Sequence, residues 1–196
     1  AGQANVRRTL RAEEIISNSF NNPDEETMLI RLTTKAKQQL KMDKLSKVVS
    51  SDEKKFFTEW NVDIVNIKQK KYFLLTENKT LFTIIKHAKG INNSVLFENY
   101  FNNILQEVFN DLIDSSVPVS MSRFLFEYSG TENNYVRRSQ IDHLHHAKHL
   151  VEDNINTFQI NRYPIASIGF KFPVDYFIEE MSTLLKNYNV YFDKEE

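Results

Sequence analysis

The chain contains no cysteine, only four glycines and four prolines, and a single tryptophan, and each shortage closes off some chemistry. Without cysteine there is no disulfide, no zinc–thiolate site and no thiol nucleophile, a usage that fits a reducing compartment. Four scattered glycines leave no phosphate loop of the Walker or dinucleotide kind, because those loops need clustered glycines to let the backbone approach a phosphate. No stretch approaches the roughly 18 consecutive apolar residues of a membrane span, and the first residues lack the apolar core of a secretory signal. The expectation is a cytoplasmic protein without membrane association.

What is present argues for a folded core. Hydrophobic residues make up 41% of the chain, with fifteen Phe and eight Tyr, which excludes disorder over most of the length. At 196 residues it fits one domain of ordinary size with an appendage at an end. The formal charge of −1 conceals an asymmetry. Residues 28–89 carry 14 Lys and Arg against 6 Asp and Glu, a balance of +8, whereas residues 90–196 carry 8 against 15, a balance of −7. Such a split marks a basic surface for nucleic acid or for an acidic partner, or else two halves that neutralise each other by packing together. No RNP, helix-turn-helix or zinc-finger pattern accompanies it.

The centre of the expected fold is residues 60–86, WNVDIVNIKQKKYFLLTENKTLFTIIK. Trp60, Val62 and Ile64 alternate with polar residues, and 72–75 and 81–85 are aromatic and β-branched runs, the pattern of a three-stranded antiparallel meander. Gln69-Lys70-Lys71 reads as the first reversal and Glu77-Asn78-Lys79 as the second, with Asn78 tolerating positive φ. Three strands are stable only when one face is covered. The cover is predicted over 94–114, where Leu96/Phe97, Tyr100/Phe101, Ile104/Leu105, Val108/Phe109 and Leu112/Ile113 recur every four residues, and in a final helix over 173–188 with Pro173 in its first turn. A strand over 28–33, a helix capped by Thr33 or Thr34, a short helix over 52–59, a strand over 121–128, a helix over 135–156 and an irregular segment over 157–168 complete the reading. The fold class is therefore α+β, a mostly antiparallel sheet of four to five strands built around the meander and packed by helices. Residues 1–27 read as a separate amphipathic helical extension ended by Asn21-Asn22-Pro23-Asp24. It could be a partner-binding arm, a homodimer contact or non-native sequence.

Four of the five histidines fall in one predicted helix, in the stretch RRSQIDHLHHAKHLVED. Plotted at about 100° per residue, Ile141, Leu144, Ala147 and Val151 define its buried side, and Arg138, Asp142, His145, His146, His149 and Asp153 gather on the other. Asp142, His146 and His149 stand at i, i+4 and i+7, a spacing that could hold a divalent metal or let a carboxylate orient an imidazole for acid–base work. A solvated face with histidines paired to Asp142 and Asp153 shows the same pattern, and no HExxH or nucleophile–base pairing is present. Arg162 and Tyr163, in the turn Asn161-Arg162-Tyr163-Pro164, and Lys68, Lys70 and Lys71 at the hairpin tip are further candidate binding residues, each with a plain reading as an acid-paired or solvated side chain. His87, alone at a strand end, reads as structural.

From Met28 to about residue 183 the chain resembles a small bacterial and phage-associated family of unknown function. The likeness rests on the opening MLIRLTTKAKQQL, the tryptophan that begins WNVDIVNI, the LLTENKTLF hairpin, the Arg138-Ser139 pair leading a helix, and the closing NRYPIASIGFKFP. The family pattern after Arg-Ser is RSVLGxxND; here it reads RSQIDHLHH, with Asp142 in place of glycine and His145-His146 in place of Asn-Asp. The resemblance thus points to Arg138, Ser139, Arg162, Tyr163 and Pro164 rather than to the histidine row, and implies no reaction.

The functional expectation is an interaction module that binds a protein partner or nucleic acid, in a bacterial defence, phage or toxin–antitoxin setting, without a cofactor. The competing expectation is a hydrolase acting on a phosphate-containing substrate through Arg138, Asp142, His145, His146 and His149.

Overall fold

The run TMLIRL puts Met28, Ile30 and Leu32 on one side of an extended chain, and it forms β1 (Thr27–Leu32) with those three side chains buried. Thr33 ends the strand and caps α1 (Thr34–Gln39), its hydroxyl accepting from the Ala36 N–H at 3.3 Å. The computed structural model describes residues 27–46, 55–112, 124–131, 134–150 and 157–187. Within them follow β2 (Glu59–Ile67), β3 (Lys70–Glu77), β4 (Thr83–His87), α2 (Ser94–Leu112), β5 (Leu125–Gly130), α3 (Asn134–Leu150), the one-turn α4 (Thr157–Ile160) and α5 (Pro173–Asn187). The expected extension at its positions 1–26, and the first part of the expected 52–59 helix, lie outside the described residues. Where that helix should continue, residues 55–58 form a turn.

The strands lie in the order β4-β3-β2-β1-β5. The meander β2-β3-β4 is antiparallel as the alternation predicts, but β1 pairs in parallel with both β2 and β5. The sheet is therefore mixed, which corrects the expectation of a mostly antiparallel one. The cause is the route of the chain. A crossover from β1 to β2 and the passage through α2 from one sheet edge to the other replace hairpins, and crossovers return strands in the parallel sense. The 19 residues of α2 span about 28 Å, enough to traverse five strands about 4.8 Å apart.

Both hairpins turn differently from expectation. Ile67 pairs with Lys70, so the β2–β3 loop is Lys68-Gln69 alone, and both residues take the positive φ (45° and 65°) that a type I′ turn requires. At the second reversal Leu81 (φ 61°), not Asn78, sits in the left-handed region. Glu77 organises that turn. Its buried carboxylate accepts from the Lys79 N–H (3.1 Å), from the Thr80 N–H and hydroxyl (2.7 Å each), and from the Phe57 N–H (3.1 Å) of the segment entering β2. Burial raises this carboxyl above the ordinary glutamate range, and the same four hydrogen bonds oppose the rise.

The main core lies on one face of the sheet. Trp60, Val62, Ile64, Phe73, Leu75 and Ile84 meet Phe97, Phe101 and Ile104 of α2 and Phe177 of α5. Phe57 plugs one end, edge-on to Trp60 (5.8 Å) and Phe109 (5.2 Å). The opposite face holds a smaller cluster, in which Val65, Ile67, Tyr72, Leu74 and Ile85 pack with Ile160.

Candidate functional site

Along that second face the strand register aligns one polar residue per strand. Ser129 of β5 stands beside Arg31 of β1, Arg31 beside Asn61 of β2, Asn61 beside Thr76 of β3, and Thr76 beside Thr83 of β4. All five are buried, Arg31 completely. A row of polar groups out of water is tolerated only where hydrogen bonds replace hydration. Arg31 Nε donates to Glu59 and its Nη1 to the Gly130 carbonyl (3.4 Å). Thr76 and Thr83 share a hydroxyl–hydroxyl bond of 3.0 Å, and the Asn61 carbonyl accepts from Gln140 Nε2 (3.3 Å). The Asn61 side-chain amide has no partner at either end, and Ser139 Oγ none either. Each such orphan costs about 1–3 kcal/mol.

Helix α3 lies over this row and turns a matching face to it. Val136, Ser139, Gln140 and His143, spaced i, i+3, i+4 and i+7, are its buried side chains among the described ones, while Ile141 is 49% exposed. The wheel expectation that Ile141 marks the inner side is thus corrected, since Ile141 faces out, while Leu144 is half-buried against the smaller cluster on the expected side; the Ala147 side chain and Val151 lie outside the described residues. The sheet surface beneath is polar, so the helix buries its polar stripe. His143 has Nδ1 3.2 Å from the Ile160 carbonyl and Nε2 3.1 Å from the Leu81 carbonyl. A neutral ring can donate to only one of them. Loss of hydration lowers its pKa to about 4, the two carbonyls opposing the shift.

Beside it, the Asn161 side chain substitutes for a strand partner. Its Oδ1 accepts from the Thr83 N–H and its Nδ2 donates to the Thr83 carbonyl, both at 2.7 Å. Its own carbonyl accepts from the Val174 N–H (3.3 Å), tying the start of α5 to the same point.

Two clefts open near these elements. The first, of about 370 Å³, lies where β1 and β5 end at Leu32 and Gly130. It is lined by Thr33, Lys35 and Lys37 from the start of α1, by Asp63 of β2, and by Thr131 and Arg137. Asp63 and Thr131 follow Asn61 and Ser129 by two residues, so the cleft lies just beyond the polar row. The second, of about 480 Å³, is lined by Gln39, Gln69, Lys70, Lys71, His87 and Lys89. Lys71 Nζ donates to Gln39 Oε1 (3.1 Å), which joins the hairpin tip to α1.

The residues expected from the sequence fall into separate places. Arg138, Asp142 and His145 are exposed, and neither cleft is lined by them. His146 is half-buried and stacks on Tyr163 with ring centroids 3.8 Å apart and planes 4° apart, while Arg162 is exposed. Ser139 is buried against the sheet. The side chain of His149 lies outside the described residues, and among the described residues no three His, Asp or Glu side chains gather as a metal set. His87 shapes its turn, Nδ1 accepting from the Lys89 N–H (3.0 Å). Lys68, Lys70 and Lys71 are exposed at the hairpin. Sequence reasoning missed Arg31, Asn61, Thr131 and His143. The charged Arg31 inside an apolar strand was the available signal, since an unpaired guanidinium is seldom buried.

A mixed α+β sheet with a buried polar row under one helix and polar clefts at its ends does not by itself define a reaction. The chain belongs to the family described as a domain of unknown function, DUF6933, whose model matches residues 29–175, from β1 to the first turn of α5. No curated protein and no solved structure matches it.

Proposed function

We propose that this protein is a binding module that engages nucleic acid through the basic face at the β2–β3 hairpin. The observation that carries the reading is the second cleft. Lys70 and Lys71 from the hairpin and Lys89 from the turn after β4 converge on it, beside the donors Gln39 and Gln69 and the imidazole of His87. Among the described residues no carboxylate lines it. Lysines presented this way contact backbone phosphates without reading sequence, and binding then weakens with salt through counterion release. The reading assigns no reaction, since Arg138, Asp142 and His145 share no cleft with a nucleophile.

The test is fluorescence anisotropy with generic single- and double-stranded DNA and RNA between 50 and 200 mM salt. Three phosphate contacts imply a slope of log K against log salt of about −3. Lys70→Glu with Lys71→Glu should remove most of the affinity, because both side chains are exposed and their replacement leaves the core intact. Affinity that does not change with salt, or none at all, sinks the reading.

A further inference from the structure

We infer that the cleft beyond β1 and β5 binds a small phosphate ester that carries free hydroxyls, of the nucleoside monophosphate or sugar phosphate kind. The site is separate from the basic face at the hairpin. In open α/β sheets ligands bind in the crevice outside the carboxyl ends of parallel strands, and the parallel strands β1 and β5 end side by side at the cleft. Here β1 feeds α1 and β5 is followed by α3, and the cleft lies between them. Its volume of about 370 Å³ falls in the range of small-molecule pockets.

The lining has the two halves such a ligand requires. The side chains of Lys35, Lys37 and Arg137 supply positive charge, and none of the three side chains has an ion-pair or hydrogen-bond partner among the described residues. Arg137, on the exposed side of the first turns of α3, presents the forked donors that suit a phosphate. Asp63 supplies the opposite character. One of its oxygens, Oδ1, accepts from the Thr33 hydroxyl (2.6 Å) and the Ile64 N–H (2.7 Å), which fixes the carboxylate and leaves Oδ2 for a donor. A bare anion gains nothing from that carboxylate, whereas a hydroxyl-bearing ester does. Thr131 adds an independent sign: the residue lines the cleft, and its hydroxyl is buried without a partner. The Asn61 amide and Ser139 Oγ, buried and outside the cleft lining, are unpartnered too. A buried hydroxyl without a partner at the edge of a polar cleft is a hydrogen-bonding group that a bound ligand can satisfy.

The test is calorimetric titration of the full chain with adenosine monophosphate, uridine monophosphate, ribose 5-phosphate and inorganic phosphate. Saturable binding of the esters, weakened tenfold or more by Arg137→Gln and by Asp63→Asn, is the expected result. Equal binding of both nucleotides and ribose 5-phosphate would name a sugar phosphate, and preference for one base a nucleotide; both outcomes support the site. Inorganic phosphate binding as tightly as the esters, with Asp63→Asn neutral, overturns it, as does no saturable binding by any of the four. Thr131→Val gives a second readout. Removing an unpartnered hydroxyl should leave or raise the unfolding midpoint of the free protein while weakening the ester, and a lowered midpoint with unchanged affinity would assign that hydroxyl to folding. The Lys70→Glu, Lys71→Glu protein should keep ester affinity; loss there with retention in Arg137→Gln would move the ligand to the hairpin and overturn the proposal.

Discussion

Replacing Asn161 with alanine should be among the most damaging polar substitutions in this domain, although it removes no charge. The side chain makes two hydrogen bonds of 2.7 Å to the N–H and C=O of Thr83, and every atom involved is buried. Truncation leaves both backbone groups without a partner at about 1–3 kcal/mol each, so about 2–6 kcal/mol is at stake, centred near ~4. That is a large share of the ~5–15 kcal/mol that holds a domain folded. In urea, with a slope of about 2 kcal/mol per molar, the midpoint should fall by about 2 M. Amide exchange should show the loss locally, at Thr83, before the rest of the sheet. Asn161→Asp separates the two bonds. Its carboxylate still accepts from the Thr83 N–H but sets an oxygen against the Thr83 carbonyl, which raises the carboxyl pKa in the folded state. A group whose folded pKa is raised stabilises below its unfolded value and loses that contribution as pH rises. Relative to the native chain at the same pH, Asn161→Asp should therefore be weakest at neutral pH and recover in acid. A midpoint within about 0.3 M of the native one for Asn161→Ala, with the Thr83 amide still protected, would refute the reasoning.

His143, held near pKa 4 by burial against an ordinary 6.5, binds its proton more readily in the unfolded chain, so stability should fall as pH drops from about 6.5 to about 4. The loss by pH 4 is about 3 kcal/mol at about 1.36 per pH unit, and His143→Gln should flatten that part of the profile in urea melts. Glu77→Gln tests whether burial or hydrogen bonding dominates at the second turn. Four donors face the carboxylate, and an amide N–H₂ turned toward them should cost about 2–3 kcal/mol; an unchanged melting temperature would show that the burial penalty dominates instead. Gln69→Gly should raise stability by about 1 kcal/mol in the same urea assay, because the residue now carries φ 65° with a side chain, and a neutral or negative change would mean the strain is relieved elsewhere.

How far the sequence could be read differs from element to element. The meander and α2 were legible because each follows one period: Trp60, Val62 and Ile64 alternate, and Phe97, Phe101, Ile104, Leu105, Val108 and Phe109 recur at helical spacing, and all of them are buried in the core. The helix over the polar row was legible as a helix but not in its rotation. An apolar wheel assumes an apolar neighbour, and here the neighbour is Arg31, Asn61, Thr76 and Thr83. Asn61, between two apolar residues of an alternating strand, has the pattern of a solvent-facing position; it is 1% exposed because α3 covers the face it points to. In the NRYP turn the sequence points to the arginine, yet Arg162 is exposed and Asn161 makes the structural bonds. Nothing local could show this, since the partner, Thr83, is 78 residues away.

The sequence alone therefore determined the α+β class, the antiparallel meander and the helix that covers it, because hydrophobic periodicity is a property of neighbouring residues. Tertiary structure alone decided the parallel pairing of β1 and β5, the alignment of Ser129, Arg31, Asn61, Thr76 and Thr83, and the union of Thr33, Asp63, Thr131 and Arg137 around one cleft. Register and crossover direction depend on which distant segments meet, and a one-residue slip in any strand would have sent its polar residue to the opposite face.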